Sequence, residues 1–231
     1  MTTRPDGRTP DQLRPVTFQV DAQKNAFSSV LTTFGNTTVL TSVSVDDKTR
    51  PWRDGLGWVT AEYAMLPGSS SERISRDRRG PNGRATEIER LIGRSLRAGV
   101  NLDTMPAVTL RVDCDVIDAD GGTRTAAITG AWVALARALH KMDAANALIG
   151  HIAAVSVGIV DDVCVLDLPY AEDVRASVDM NVVMTDQKSY VEVQGTAEAD
   201  PYTKQQLDTM LELAAHGITK LVALQAEAVH A

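Results

Sequence analysis

Asp120-Gly121-Gly122-Thr123-Arg124 stands where a strand-like run gives way to a helix-like one. Glycines there let backbone N–H groups close on an anion, and a helix start adds partial positive charge. Arg124 can supply a bidentate grip on phosphate oxygens. The spacing matches neither a P-loop, since no Gly-Lys-Ser/Thr follows, nor the dinucleotide-binding fingerprint. A tight turn with a capping arginine would read the same way locally. Arg84 could bring a second guanidinium to the same anion, or could be a solvated loop residue.

Asp173 and Asp179 could hold a divalent metal, since hard cations prefer carboxylate oxygens. In one straight strand, residues six apart stand roughly 20 Å from each other, too far to share an ion. The metal reading therefore requires a fold-back between 173 and 178, with a true strand beginning near Val178. Two unrelated surface aspartates are the alternative. The acidic run Asp113, Asp115, Asp118 and Asp120 is expected to pair with arginines and to cap turns. His140, His151, His216 and His230 show no ligand spacing, and there is no Ser-His-Asp or Cys-His arrangement.

These groups need a scaffold, and 231 residues that are 44% hydrophobic and 23% charged can build one. Aromatics make up 4%, so base stacking is not expected to be the main device for gripping a nucleic acid. Cys114 and Cys164 sit in apolar, strand-like runs, as small buried thiols do. The first residues lack an apolar h-region and no membrane span is found, so a cytoplasmic protein is expected. The net charge of −7 opposes a nucleic-acid partner, but its distribution does not. Residues 73–97 hold eight arginines against three acids, a local balance of +5 that leaves −12 elsewhere.

Residues 16–20 and 27–45 read as a β-meander turning at Gly35-Asn36, and 57–66 as a further strand ended by Pro67-Gly68. An exposed, arginine-rich loop over 69–83 follows. Thr86 and Glu89 have the spacing of a capping box, which predicts that the next helix starts there. On that helix Ile88, Leu91, Ile92 and Leu96 share one side, and Arg90, Arg94 and Arg97 form a stripe on the other. The stripe could hold an RNA backbone, face solvent or contact another subunit. Residues 107–117 alternate as a half-buried strand, 125–142 form a helix apolar on most sides, and 152–160 with 163–168 form a hairpin around Asp161-Asp162. Strands at 178–185 and 190–194 and a helix over roughly 203–228 complete one α+β domain.

Several blocks recur in one order: Arg4-Pro-Asp-Gly-Arg8 with Gln12-Leu-Arg-Pro-Val16, Gly57-Trp-Val-Thr-Ala-Glu-Tyr-Ala-Met-Leu-Pro67, and Gly83-Arg84 leading to Glu87-Ile-Glu-Arg-Leu-Ile-Gly-Arg-Ser-Leu-Arg97. Later come Asp113-Cys-Asp-Val116, Ala119-Asp-Gly-Gly-Thr-Arg-Thr-Ala126, Asp167-Leu-Pro-Tyr170, Glu172-Asp173, Asp179-Met-Asn-Val-Val183 and Val193-Gln-Gly-Thr-Ala-Glu198. Together they resemble the ribonuclease PH family over nearly the whole chain.

The resemblance implies an α+β fold like ribosomal protein S5 domain 2, mixed β-sheets packed with helices, as a single domain over 1–231. It implies phosphorolysis, in which inorganic phosphate removes 3′-terminal nucleotides from RNA, such as transfer-RNA precursors, as nucleoside diphosphates. Phosphate binding would fall on Arg84, Gly122, Thr123 and Arg124, and catalysis with Mg²⁺ on Asp173 and Asp179. Family members form a hexameric ring, a trimer of dimers, which would repeat the basic segment around one opening. Two other readings are a catalytically silent subunit of an exosome-like complex and a metal-dependent hydrolytic nuclease.

Overall fold

The structure, a computed structural model, describes residues 4–76 and 83–231. Arg78, Arg79, Pro81 and Asn82, part of the basic loop read above, lie outside the described residues. The expected meander is present as β1 (Val16–Val20), β2 (Ser28–Phe34) and β3 (Thr37–Asp46), with Gly35 left-handed at the turn (φ 57°). β4 (Trp58–Met65), α1 (Gly83–Ala98) and β5 (Thr109–Asp118) follow. The strands form one sheet in the order β1-β2-β3-β5-β4, in which β4 runs parallel to β5 with α1 as the crossover.

The second half consists of α2 (Thr123–Lys141), β6 (Ile152–Val160), β7 (Val163–Leu166), α3 (Tyr170–Asp173), β8 (Val178–Thr185), β9 (Tyr190–Ala197) and α4 (Lys204–Val229). Its antiparallel sheet has the order β7-β6-β8-β9. α2 lies between the sheets, packing on β2 and β3 on one side and β6 on the other, so every residue from Thr125 to Leu139 is buried. Small residues make this close approach possible: a Cβ at Gly130 would come within 2.0 Å of Thr32 Oγ1. Ile128, Leu135 and Leu139 are fully buried there, each stabilising the fold by about 1.5–3 kcal/mol. α4 packs beside α2 on the same face of the second sheet, against β6 and β7, and also reaches β1 of the first sheet; it starts with a Thr203/Gln206 capping box. One continuous apolar cluster runs from Val30 to Val229.

The structure corrects the predicted start of α1. The helix begins at Gly83, one turn ahead of Thr86, so the Thr86/Glu89 capping box is not formed. Glu89 turns toward β4, where its Oε1 accepts from the Tyr63 N–H at 3.5 Å. Both cysteines are free, and burial pushes the Cys114 thiol up to about 12.

Candidate active site

The turn from β5 into α2 has the shape of an anion cradle. Gly121 and Gly122 are both left-handed (φ 73° and 66°), a conformation that favours glycine. Ala126 N makes the first intrahelical bond, to Gly122 O at 3.0 Å. The N–H groups of Thr123, Arg124 and Thr125 therefore open from a helix start without helical partners.

Two contacts that sequence reasoning missed aim this loop. Arg124 Nη1 donates to Gln194 Oε1 at 3.0 Å, and Gln194 Nε2 donates to Glu87 Oε1 at 2.6 Å, so β9 and α1 together orient the guanidinium. Tyr63, largely buried on β4, donates its hydroxyl to Thr123 Oγ1 at 2.9 Å. Strand alternation could have placed Tyr63 and Gln194 on a face of their sheets, but not beside a helix start distant in sequence.

The fold-back required of Asp173 and Asp179 is present. α3 ends at Asp173, Ala176 N returns to Asp173 O at 3.2 Å, Ser177 N bonds Ile159 O, and β8 begins at Val178. Asp179 then sits opposite Gly158 and Thr196 on the flanking strands. Burial pushes its carboxyl up to about 6, helped by the charge of Asp173 and opposed by Arg124 and Arg84. Asp173 is also raised, by burial first, with Arg124 and Arg84 again opposing. Two carboxyls and two guanidiniums from four separate elements thus act on one another, and Glu198, not singled out from the sequence, adds a third negative charge. Arg84 is exposed in the first turn of α1.

The expected arginine stripe is not uniform. Arg90 is exposed, whereas Arg94 is paired with Glu192 of β9. Arg97 bends back across Gly93, where no side chain obstructs it, donates to Val59 O at 3.0 Å and lies 4.5 Å from the Trp58 ring centre. It is half-buried, and burial lowers its pKa. The acidic run is also corrected in part. Asp120 does not cap its own turn: its carboxylate reaches other segments, accepting from Tyr170 N at the start of α3 and from Asn36 Nδ2 of the β2–β3 turn. Among the described residues, Asp113 and Asp115 have no ion pair, because Arg111 on the same strand turns to Asp46 and Glu62.

The profile of the 3′ exoribonuclease family, domain 1, matches residues 12–139, and that of its domain 2 matches residues 150–217. Ribonuclease PH of Methylobacterium radiotolerans is 50% identical over 238 aligned positions, covering 98% of this chain and 99% of that protein. Among solved structures, rice (Oryza sativa) Rrp46 superposes with a TM-score of 0.82 at 19% identity, over 99% of this chain and 100% of the rice chain. A chain of the Archaeoglobus fulgidus exosome, solved with RNA bound to the active site, gives 0.80 at 20% identity over 94% of this chain and 91% of that one. These two show a shared fold. The two profiles and the half-identical relative together place this chain in the ribonuclease PH family of 3′ exoribonucleases.

Proposed function

We propose that the chain shortens RNA from its 3′ end by phosphorolysis and runs the reverse nucleotidyl transfer when nucleoside diphosphates accumulate. The observation that carries this reading is the convergence of Arg84 and Arg124 on the Asp173/Asp179 pair beside a helix start with open N–H groups. Inorganic phosphate sits on Gly122, Thr123 and Arg124, with Arg84 as its second cation. One of its oxygens attacks the phosphorus of the last phosphodiester. The bond from that phosphorus to the 3′ oxygen of the penultimate nucleotide breaks, and the products are a nucleoside diphosphate and an RNA one nucleotide shorter. Positioning and charge neutralisation supply most of the rate in such a transfer.

Asp179, with a carboxyl near 6, can carry a proton to the departing 3′ oxygen. The donor set also suits Mg²⁺. The charge of Asp173 raises the carboxyl of Asp179, a pairing that favours a shared cation, and Mg²⁺ is commonly held by one or two carboxylates plus substrate oxygens. Among the described residues no group of three or more His, Cys, Asp or Glu forms a closed cage. Bound by Asp173 and Asp179, the ion would neutralise charge on the transferring phosphoryl group. Proton and cation compete for the same carboxyl, so metal affinity weakens below about pH 6.

The chain acts as a single unit over 1–231, supported by the apolar cluster common to both halves. It assembles as a hexameric ring, which would repeat the exposed Arg73 and Arg76 around one opening and reconcile a net charge of −7 with an RNA substrate. Transfer-RNA precursors in the cytoplasm are the substrate that family membership favours. No helix among the described residues is long and apolar enough to cross a membrane. Exposed Arg90 is the best placed of the stripe to touch RNA, since Arg94 and Arg97 are engaged within the chain.

An RNA with a single-stranded 3′ tail, incubated with Mg²⁺ with and without phosphate, tests the reading. Nucleoside diphosphates that form only with phosphate support it. Monophosphates formed without phosphate would identify a hydrolase, and intact RNA a silent subunit.

A further inference from the structure

Three arginines from the N-terminal segment, Arg4, Arg8 and Arg14, are buried against Asp167 and Glu172, and the chemistry proposed above uses none of them. Arg14 differs from the other two in what it holds. Its Nη2 and Nε bind the two carboxylate oxygens of Asp167 at 2.7 and 3.1 Å. Its Nη1 donates to Asp120 O at 2.6 Å, and Nη2 also reaches Gly121 O at 3.4 Å. Thr37, fully buried at the start of β3, completes the grip: its hydroxyl donates to Gly121 O at 2.7 Å and accepts from Asp120 N at 3.0 Å.

The consequence follows from the planar, trans peptide, in which C=O and N–H point in opposite directions. Holding Asp120 O and Gly121 O from inside turns the N–H groups of Gly121 and Gly122 away from Arg14 and Thr37. Among the described residues no acceptor takes either of these N–H groups. The same guanidinium ties the loop to the segment bearing Asp173. Asp167 starts that segment in a left-handed conformation (φ 55°), Tyr170 N bonds Asp120 Oδ1 at 3.2 Å, and a Cβ on Gly121 would meet Leu168 O at 2.5 Å.

We infer that Arg14 and Thr37 are positioning residues, which aim the backbone donors of Gly121 and Gly122 at inorganic phosphate and hold them in register with the Asp173 segment. The inference rests on the proposed role of this loop in phosphate binding. Arg14 acts as a fork that joins two backbone carbonyls to one carboxylate, and a lysine cannot reproduce that geometry. Thr37 makes its contribution without charge.

Steady-state kinetics at varied inorganic phosphate, beside thermal melts, test it with four variants. Arg14→Lys and Thr37→Val are expected to raise the phosphate KM tenfold or more, while kcat at saturating phosphate falls less than about threefold. Thr37→Ser, which keeps the hydroxyl, should restore the wild-type KM. Arg137→Lys, a remote buried arginine bound to Ala228 O, Val229 O and Asp21, should lower Tm and leave the phosphate KM unchanged. If Thr37→Val and Arg14→Lys keep a phosphate KM within twofold of wild type, the inference is overturned, whatever their melting temperatures. Thr37→Val decides alone where Arg14→Lys does not fold. A wild-type protein that cleaves RNA without phosphate would instead overturn the phosphate reading itself.

Discussion

Arg124 donates to Gln194 at 3.0 Å, so the guanidinium at the helix start is aimed by a strand that begins 66 residues later. Removing that acceptor leaves the charge in place and frees its direction. Gln194→Ala is expected to raise the phosphate KM several-fold with a smaller change in kcat, because a hydrogen bond to a charged group is worth about 1.5–3 kcal/mol and solvent replaces part of it. Phosphate titrations at saturating RNA measure this, and a normal KM would remove Gln194 from the site.

Arg124→Ala removes the guanidinium itself. A loss of about 1.5–3 kcal/mol of charge-assisted bonding corresponds to a phosphate KM roughly ten- to a hundredfold higher. The rate at saturating phosphate is expected to fall less. A variant with a normal phosphate KM and a collapsed kcat would reverse the role assigned to Arg124.

Asp179 makes stability depend on pH. Its carboxyl keeps its proton up to about pH 6, against an ordinary value of 3.8. The stability this group adds is full below about pH 4 and is lost as the pH rises through 6. In metal-free protein, Asp179→Asn remains neutral and should melt a few degrees above wild type at pH 8, but level with it at pH 4. Its kcat should fall on the order of a hundredfold or more. Melts in chelator at the two pH values check the first part, and a variant less stable than wild type at pH 8 would contradict it.

Arg4 and Glu172 form a buried ion pair, with Arg4 also bonded to Leu166 O and Asp167 O. Glu172→Gln leaves the Arg4 charge without its partner, at an expected cost of about 3–5 kcal/mol in urea unfolding. Replacing both by methionine should recover part of that loss. Equal destabilisation by the single and double variants would show that the carboxylate is not what compensates Arg4.

Arg90 and Arg97 should separate by assay. Arg97→Ala loses its bond to Val59 O and its contact with Trp58, so it should lower Tm. Arg90→Ala should leave Tm unchanged and weaken RNA binding, with a shallower dependence on salt. Filter binding over a salt series distinguishes them.

The elements were legible in the sequence where one periodicity dominated. β5 alternates as read, α2 is apolar on most sides because it lies between two sheets, and the chain folds back before Val178 as the metal reading demanded. Periodicity failed where a side chain chose a tertiary partner over its local one. α1 started a turn before Thr86, leaving Glu89 to accept from Tyr63 rather than to form a capping box, and Arg97 found Trp58 instead of solvent. The supporting residues Tyr63, Gln194, Arg14 and Thr37 were illegible for another reason. Each acts across 60 to 153 residues, on partners that only the packed sheets bring together.

The central claim is that phosphate held at Gly122-Thr123-Arg124 is the attacking group, and the most direct measurement follows its phosphorus. With ³²P-labelled inorganic phosphate, Mg²⁺ and unlabelled RNA, the label is expected in the β-phosphate of every released nucleoside diphosphate, one label per nucleotide removed. Mononucleotides that carry no label, or that leave as monophosphates, would contradict the account.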